Sequence, residues 1–133
     1  MSLKTAFVRR SATTLLVSTC FAVALSSAAL AIGAIAVDDS YEDDDIGFGY
    51  STNYDTNADA SAGAIEECKN SDNNNCKVVL VYKACGALAG LKRKYGVGEG
   101  ATKQAAEQAA LKACGPASGP NSCKVLASDC EGN

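Results

Sequence analysis

Six of the seven cysteines of this 133-residue chain lie between residues 68 and 130, and the chain contains no histidine. Without an imidazole, Ser-His-Asp and Cys-His nucleophilic catalysis are excluded. A typical zinc site is excluded as well, because it would need those cysteines as free thiolates. Thiol oxidoreductases carry C-x-x-C, and no two of Cys68, Cys76, Cys85, Cys114, Cys123 and Cys130 are that close. An even number of cysteines in a small exported chain is read as a framework of three structural disulfides.

The remaining reactive groupings are weaker. Gly96-Val97-Gly98-Glu99-Gly100-Ala101 fits G-x-G-x-x-A. A dinucleotide site also needs a carboxylate about 20 residues on, and residues 115–119 contain none. These glycines are read as allowing a twisted strand and a tight entry into a helix. No cofactor is expected. Glu66 with Glu67, or Asp129 with Glu131, could pair for glycosidase chemistry, but one carboxyl would have to be desolvated in a cleft that so small a core leaves little room for. They are read as solvated charges, and the protein as not an enzyme. The acidic run Asp38, Asp39, Glu42, Asp43, Asp44 and Asp45 lacks the alternation and glycine of an EF-hand. It is read as a hairpin tip, with no metal assigned to it. Lys92, Arg93 and Lys94 occupy the equivalent turn later in the chain. One acidic and one basic tip together suggest a polarised interaction surface for a protein partner.

The N-terminus bears on where these groups act. Lys4, Arg9 and Arg10 precede an apolar stretch from Thr13 to Leu25, and Ala29-Leu30-Ala31 is an A-x-A cleavage signal. Residues 1–31 are therefore expected to be a Sec-type secretory signal peptide. The Leu16 to Cys20 segment is a poor lipoprotein box, and Arg9-Arg10 is not followed by the rest of a twin-arginine pattern. The mature protein is expected in the periplasm or outside the cell, with no membrane insertion once the leader is cleaved. It would span residues 32–133 with a net charge near −6, since 9 basic residues face 15 acidic ones. Such a chain repels nucleic acid and anionic lipid. Its small core calls for covalent staples.

The elements that must hold the cysteines come in two copies. Aligning Cys68 on Cys114 places Thr56 on Thr102, Ala60 on Ala106, Ala64 on Ala110 and Ile65 on Leu111. Cys76-Lys77-Val78-Val79 matches Cys123-Lys124-Val125-Leu126, and Gly33-Ala34-Ile35-Ala36 matches Gly86-Ala87-Leu88-Ala89. Three anchors in one order indicate an internal duplication. The fold class is α+β: a single domain of two pseudo-symmetric β-β-α-β units with antiparallel sheet, spanning residues 32–85 and 86–130 and stabilised by disulfides. Strands are expected at 32–37, 46–51, 76–84, 87–91, 95–98 and 123–128. Helices are expected from Thr56 to Cys68 and from Thr102 to Cys114, each opened by its threonine cap. The unbroken apolar run over 76–84 predicts a central strand.

Cysteine pairing then follows from symmetry. Helix-end and strand-start cysteines are eight residues apart in one unit and nine in the other, which permits Cys68–Cys76 and Cys114–Cys123 bridges. Cys85 and Cys130 remain, and their bridge is expected to tie the two units together.

The G-A-I-A and C-G-A-L-A segments, the helices ending in Cys68 and Cys114, and the closing Cys123 and Cys130 resemble domain of unknown function 4189 over about residues 32–130. That resemblance implies an exported, disulfide-bonded protein, in a family some of whose members are linked to virulence or interbacterial competition, with no general activity attached to it. The acidic connection from Asp38 to Asp45 departs from the family pattern. The expected role is a non-enzymatic protein-binding module of the envelope or extracellular space. The alternatives are a periplasmic inhibitor or immunity protein and a secreted effector.

Overall fold

The computed structural model describes residues 30–40, 45–115, 119 and 121–132. The expected leader lies outside them except for Leu30 and Ala31. Six strands and two helices follow one another as β1 Ile32–Asp38, β2 Gly47–Tyr54, α1 Asn57–Asn70, β3 Lys77–Tyr82, β4 Cys85–Leu91, β5 Lys94–Gly100, α2 Lys103–Cys114 and β6 Lys124–Cys130. Each half is β-β-α-β, folded as an antiparallel three-stranded sheet in the order β2-β1-β3 or β5-β4-β6.

The helices begin where their caps dictate. Thr56 Oγ1 accepts the Asp59 N–H at 3.1 Å and donates to the Asp59 carboxylate at 2.7 Å. Thr102 Oγ1 accepts the Ala105 N–H at 3.2 Å. Each cap thus occupies a donor that the first turn would leave unpaired. The α2 helix ends at Gly115, whose φ of 150° suits a residue without Cβ and whose N–H donates to Leu111 O.

Alternation along the strands stacks the molecule in four layers. Ala34 and Ala36 of β1 face Ala60, Ala64 and Cys68 of α1; Ala87 and Ala89 of β4 face Ala106, Ala110 and Cys114 of α2. The opposite faces meet between the sheets, where Ile35, Val37, Ile46, Tyr82 and Leu88 are buried with Phe48, Val79, Tyr95, Val97 and Leu126 around them. The order is helix, sheet, sheet, helix.

Small residues on the helix-facing sides let each helix lie close. A Cβ built on Gly98 would stand 2.3 Å from Ala110 N and 2.4 Å from Ala106 O, both main-chain atoms of α2. The G-x-G run of β5 is thus a bed for a helix. Neither helix nor strand backbone can give way cheaply, so Gly98→Ala is expected to cost about 3 kcal/mol. The urea midpoint should fall with an unchanged slope; wild-type stability would show that α2 does not rest on β5.

Two expectations need correction. The central strands are β1 and β4, and β3 is an edge. Its apolar run arises because α1 covers Val78 and Val81 while the second sheet covers Val79 and Leu80, so both faces are covered although one edge is open. Second, β4 begins at Cys85, which pairs directly with Cys130 of β6. The Cys85–Cys130 bridge therefore closes the second sheet on itself instead of joining the units. What joins the units is the apolar layer between the sheets and a set of polar contacts at the two ends.

Candidate functional site

The three disulfides are Cys68–Cys76, Cys114–Cys123 and Cys85–Cys130, the pairs given by the repeat. The first two join each helix end to the start of the following strand, with Cα separations of 6.1 and 6.2 Å. All six cysteines are thereby structural.

The acidic and basic turns do not stand apart as two free patches. Asp39 forms an ion pair with Lys77 at 2.7 Å, and its carbonyl accepts from Arg93 Nε at 3.3 Å. Asp45 accepts the Lys92 N–H at 3.2 Å, while the Ile46 N–H donates to Lys92 O at 3.1 Å. A Cβ on Gly115 would meet Lys94 Nζ at 2.4 Å, so Lys94 lies at the C-terminal end of α2, where a cation is favoured. Glu42, Asp43 and Asp44 fall outside the described residues. The two turns thus engage each other across the unit boundary, through Asp45 with the Lys92 N–H and Arg93 with the Asp39 carbonyl, while Lys92, Arg93 and Lys94 stay exposed.

Asp38 leaves the proposed surface altogether, because it is fully buried. Its Oδ1 accepts from the Ser40 hydroxyl at 2.5 Å and the Ser40 N–H at 3.0 Å; Oδ2 accepts the N–H groups of Asn74 and Asn75 at 3.0 and 2.9 Å. It fastens the end of β1 to the loop that Cys68–Cys76 closes. The Ser40 hydroxyl, with the three N–H donors, holds the carboxyl down to about 2 against the opposing effect of burial. A carboxyl lowered by folding adds stability above its unfolded value near 4 and loses it as pH falls through about 2. Asp38→Asn is therefore expected to cost about 2 kcal/mol at pH 7. In urea titrations the deficit should shrink below about pH 4 and vanish near pH 2; a pH-independent deficit would mean that charge is not what holds the loop.

Of the paired carboxylates, Glu131 is not a solvated charge. Its Oε2 accepts the Asn53 N–H at 2.6 Å, and its Oε1 is buried without a hydrogen-bond partner. Asp129 accepts the N–H of the adjacent Cys130 at 2.8 Å. Among the described residues no three His, Cys, Asp or Glu side chains converge as metal ligands. No helix among them is long and apolar enough to cross a membrane.

Among the edge strands, β2 has a cavity beside it. Only β1 pairs with this strand, so its other edge is unpaired among the described residues. A cavity of about 680 Å³ runs beside it, lined by the seven successive residues Ile46 to Thr52 and by Gly63, Glu66 and Glu67 of α1. Successive residues of a strand can share one cavity only at its edge, since its two faces take alternate side chains. A second cavity of about 440 Å³ reaches Asp55 and Asp59 and shares Tyr54, Gly63 and Glu66 with the first, so the two are continuous.

Local structure opens this groove. The Ser51 hydroxyl donates to Ala60 O at 2.6 Å and pins the strand beneath the helix; Asn73 Nδ2 donates to Cys68 O at 2.9 Å and closes one end. Between Ala34 and Ile32 the register with β2 slips by one residue, and Asn53 takes φ 62°. Without that bulge Tyr54 would share the face of Phe48 and Tyr50. With it, the Tyr54 hydroxyl comes to Gly63, where a Cβ would stand only 2.6 Å away. Tyr50 and Tyr54 remain 46% and 37% exposed. Glu66 and Glu67 are exposed, as expected of solvated charges, and the tyrosines beside them are signalled in the sequence only by the aromatic alternation of Phe48 and Tyr50 and by Gly63 inside a helix.

Known proteins place the fold. The chain is 43% identical over 68 residues to Protein Rv1269c of Mycobacterium tuberculosis and to Protein Mb1300c of Mycobacterium bovis. The match spans 51% of this chain and 52%, about half, of each relative. The NMR structure of Rv1813c from Mycobacterium tuberculosis superposes with a TM-score of 0.54 at 22% identity, covering 97% of this chain and 99% of that one, and so shares the fold. A family model described as domain of unknown function (DUF4189) matches residues 32–130, all six described strands and both helices included, and the chain belongs to that family.

Proposed function

We propose that this protein is an exported, non-enzymatic module that binds another protein through the groove between β2 and α1. The single observation that carries this reading is an unpaired strand edge bordered by exposed tyrosines and a helix wall, a geometry that accepts an added strand. Export is supported by the leader-like residues 1–31 and by three disulfides, which persist in oxidising compartments. Against an enzyme stand the absence of histidine and the exposure of Glu66 and Glu67, which leaves the groove without a desolvated carboxyl.

The test is a photo-crosslinking amino acid introduced at Tyr50 and, separately, at Lys112 on the exposed side of α2, in the cell that makes the protein. A discrete protein adduct from position 50 and none from position 112 is expected. No adduct from position 50 overturns the reading. Recovery of the adduct from the envelope favours an inhibitor, and recovery from the medium favours an effector.

A further inference from the structure

From the lining of this groove we infer that its occupant is an extended, basic peptide segment, rich in Lys or Arg, that adds to β2 as a strand; the inference rests on the groove being the binding site. Among the described residues, the charged ones lining the two cavities are Asp55, Asp59, Glu66 and Glu67, with no Lys or Arg. All four are exposed. Glu66 and Glu67 flank the β2 edge that is unpaired among the described residues, and Asp55 and Asp59 line the cavity that continues it, so a peptide laid along β2 passes the two glutamates and runs on toward the two aspartates. Gly47 to Thr52 offer six residues of that edge, about 20 Å at the strand rise, enough for a paired segment of six or seven residues. Main-chain pairing supplies affinity without regard to sequence, and side chains alternating toward α1 meet carboxylates there. The exposed faces of Tyr50 and Tyr54 add sites where an Arg or Lys can stack.

The same charges argue against the obvious competitor, a second copy of this chain. Two β2 edges joined about a twofold axis would bring each copy's carboxylate row toward its own counterpart, and like charges across an interface are disfavoured. An anionic ligand meets the same repulsion.

The test uses the oxidised protein and a phage-displayed library of random decapeptides, followed by fluorescence titration with the selected peptides. Enrichment of Lys and Arg is expected, with affinity falling as salt rises. The Glu66→Lys, Glu67→Lys double variant alters only exposed side chains and should bind the selected peptides at least tenfold more weakly. N-methylation of the peptide at alternate residues should weaken binding by a similar factor in one phase and not in the other, because only alternate N–H groups face the edge. Selection without a basic preference, indifference of affinity to the charge reversal, or equal tolerance of N-methylation in both phases overturns the inference. If position 50 still crosslinks a protein in cells while selected peptides are not basic, the binding-module reading stands and this one fails. If position 50 crosslinks nothing, the module reading is the one that falls.

Discussion

Removing the Cys85–Cys130 bridge, as the double alanine variant, is expected to cost about 4 kcal/mol, against about 2.5 kcal/mol for either helix-end bridge. The difference comes from loop length. Cys85 and Cys130 are 45 residues apart, whereas Cys68–Cys76 and Cys114–Cys123 close 8 and 9. Cross-linking removes more freedom from the unfolded chain as the closed loop lengthens, with a logarithmic dependence. The 45-residue loop contains β4, β5, α2 and β6, so this one bond encloses the entire second unit. The first unit has no such clasp: its position equivalent to Cys85 is Ile32, and β1 is held to β3 by main-chain pairing and packing alone. Urea unfolding of the three double variants, all under oxidising conditions, measures the ordering. Equal costs for the long and short bridges would mean that loop closure is not their main contribution.

Much of this architecture was legible because it is written twice. Thr56 and Thr102 cap, Ala60 and Ala106 bury, and Cys68 and Cys114 lie in the last turn of each helix, although α1 runs on to Asn70. Even the β-bulge recurs, between Ile35 and Ala36 in one unit and between Leu88 and Ala89 in the other. Periodicity and caps are local, and so they survive in the sequence. What could not be read is whatever depends on how the units meet. An apolar run marks a strand covered on both faces, and in a four-layer stack an edge strand such as β3 qualifies as well as a central one. Asp38 sits in a run of carboxylates, yet it is buried, because besides Ser40 its partners are main-chain N–H groups 36 and 37 residues away. The groove, too, depends on contacts that no local pattern encodes. Its far end is shaped by the Asn53 bulge that turns Tyr54 onto Gly63, and no residue type announces a one-residue slip in register.

Where the two units meet, symmetry itself has to break, and Tyr82 is the residue that breaks it. Tyr82 pairs with Gly33 in the first sheet; the corresponding pair in the second is Asp129 with Gly86. The Tyr82 ring lies against both glycines. A Cβ on Gly33 would stand 2.3 Å from its Cζ, and one on Gly86 2.3 Å from its Cδ1. One ring therefore fills a space that two equivalent positions border, and a second tyrosine at 129 would compete for it. Burial raises the phenol's pKa far above its usual range, with Glu131, Asp129 and Tyr50 adding to the effect, so Tyr82 stays neutral at any ordinary pH. Tyr82→Ala empties the centre of the molecule and is expected to cost about 4 kcal/mol. Tyr82→Phe keeps the ring and loses only the 3.4 Å hydrogen bond to Ser51 O, for about 1 kcal/mol. Asp129→Tyr overfills the same space and should cost about 2 kcal/mol. If the space is shared, the effects are not additive: Asp129→Tyr introduced into the Tyr82→Ala background should restore stability instead of lowering it further. Additive losses in urea titration would show that positions 82 and 129 do not border one space, and that the two units pack without the common ring at their junction.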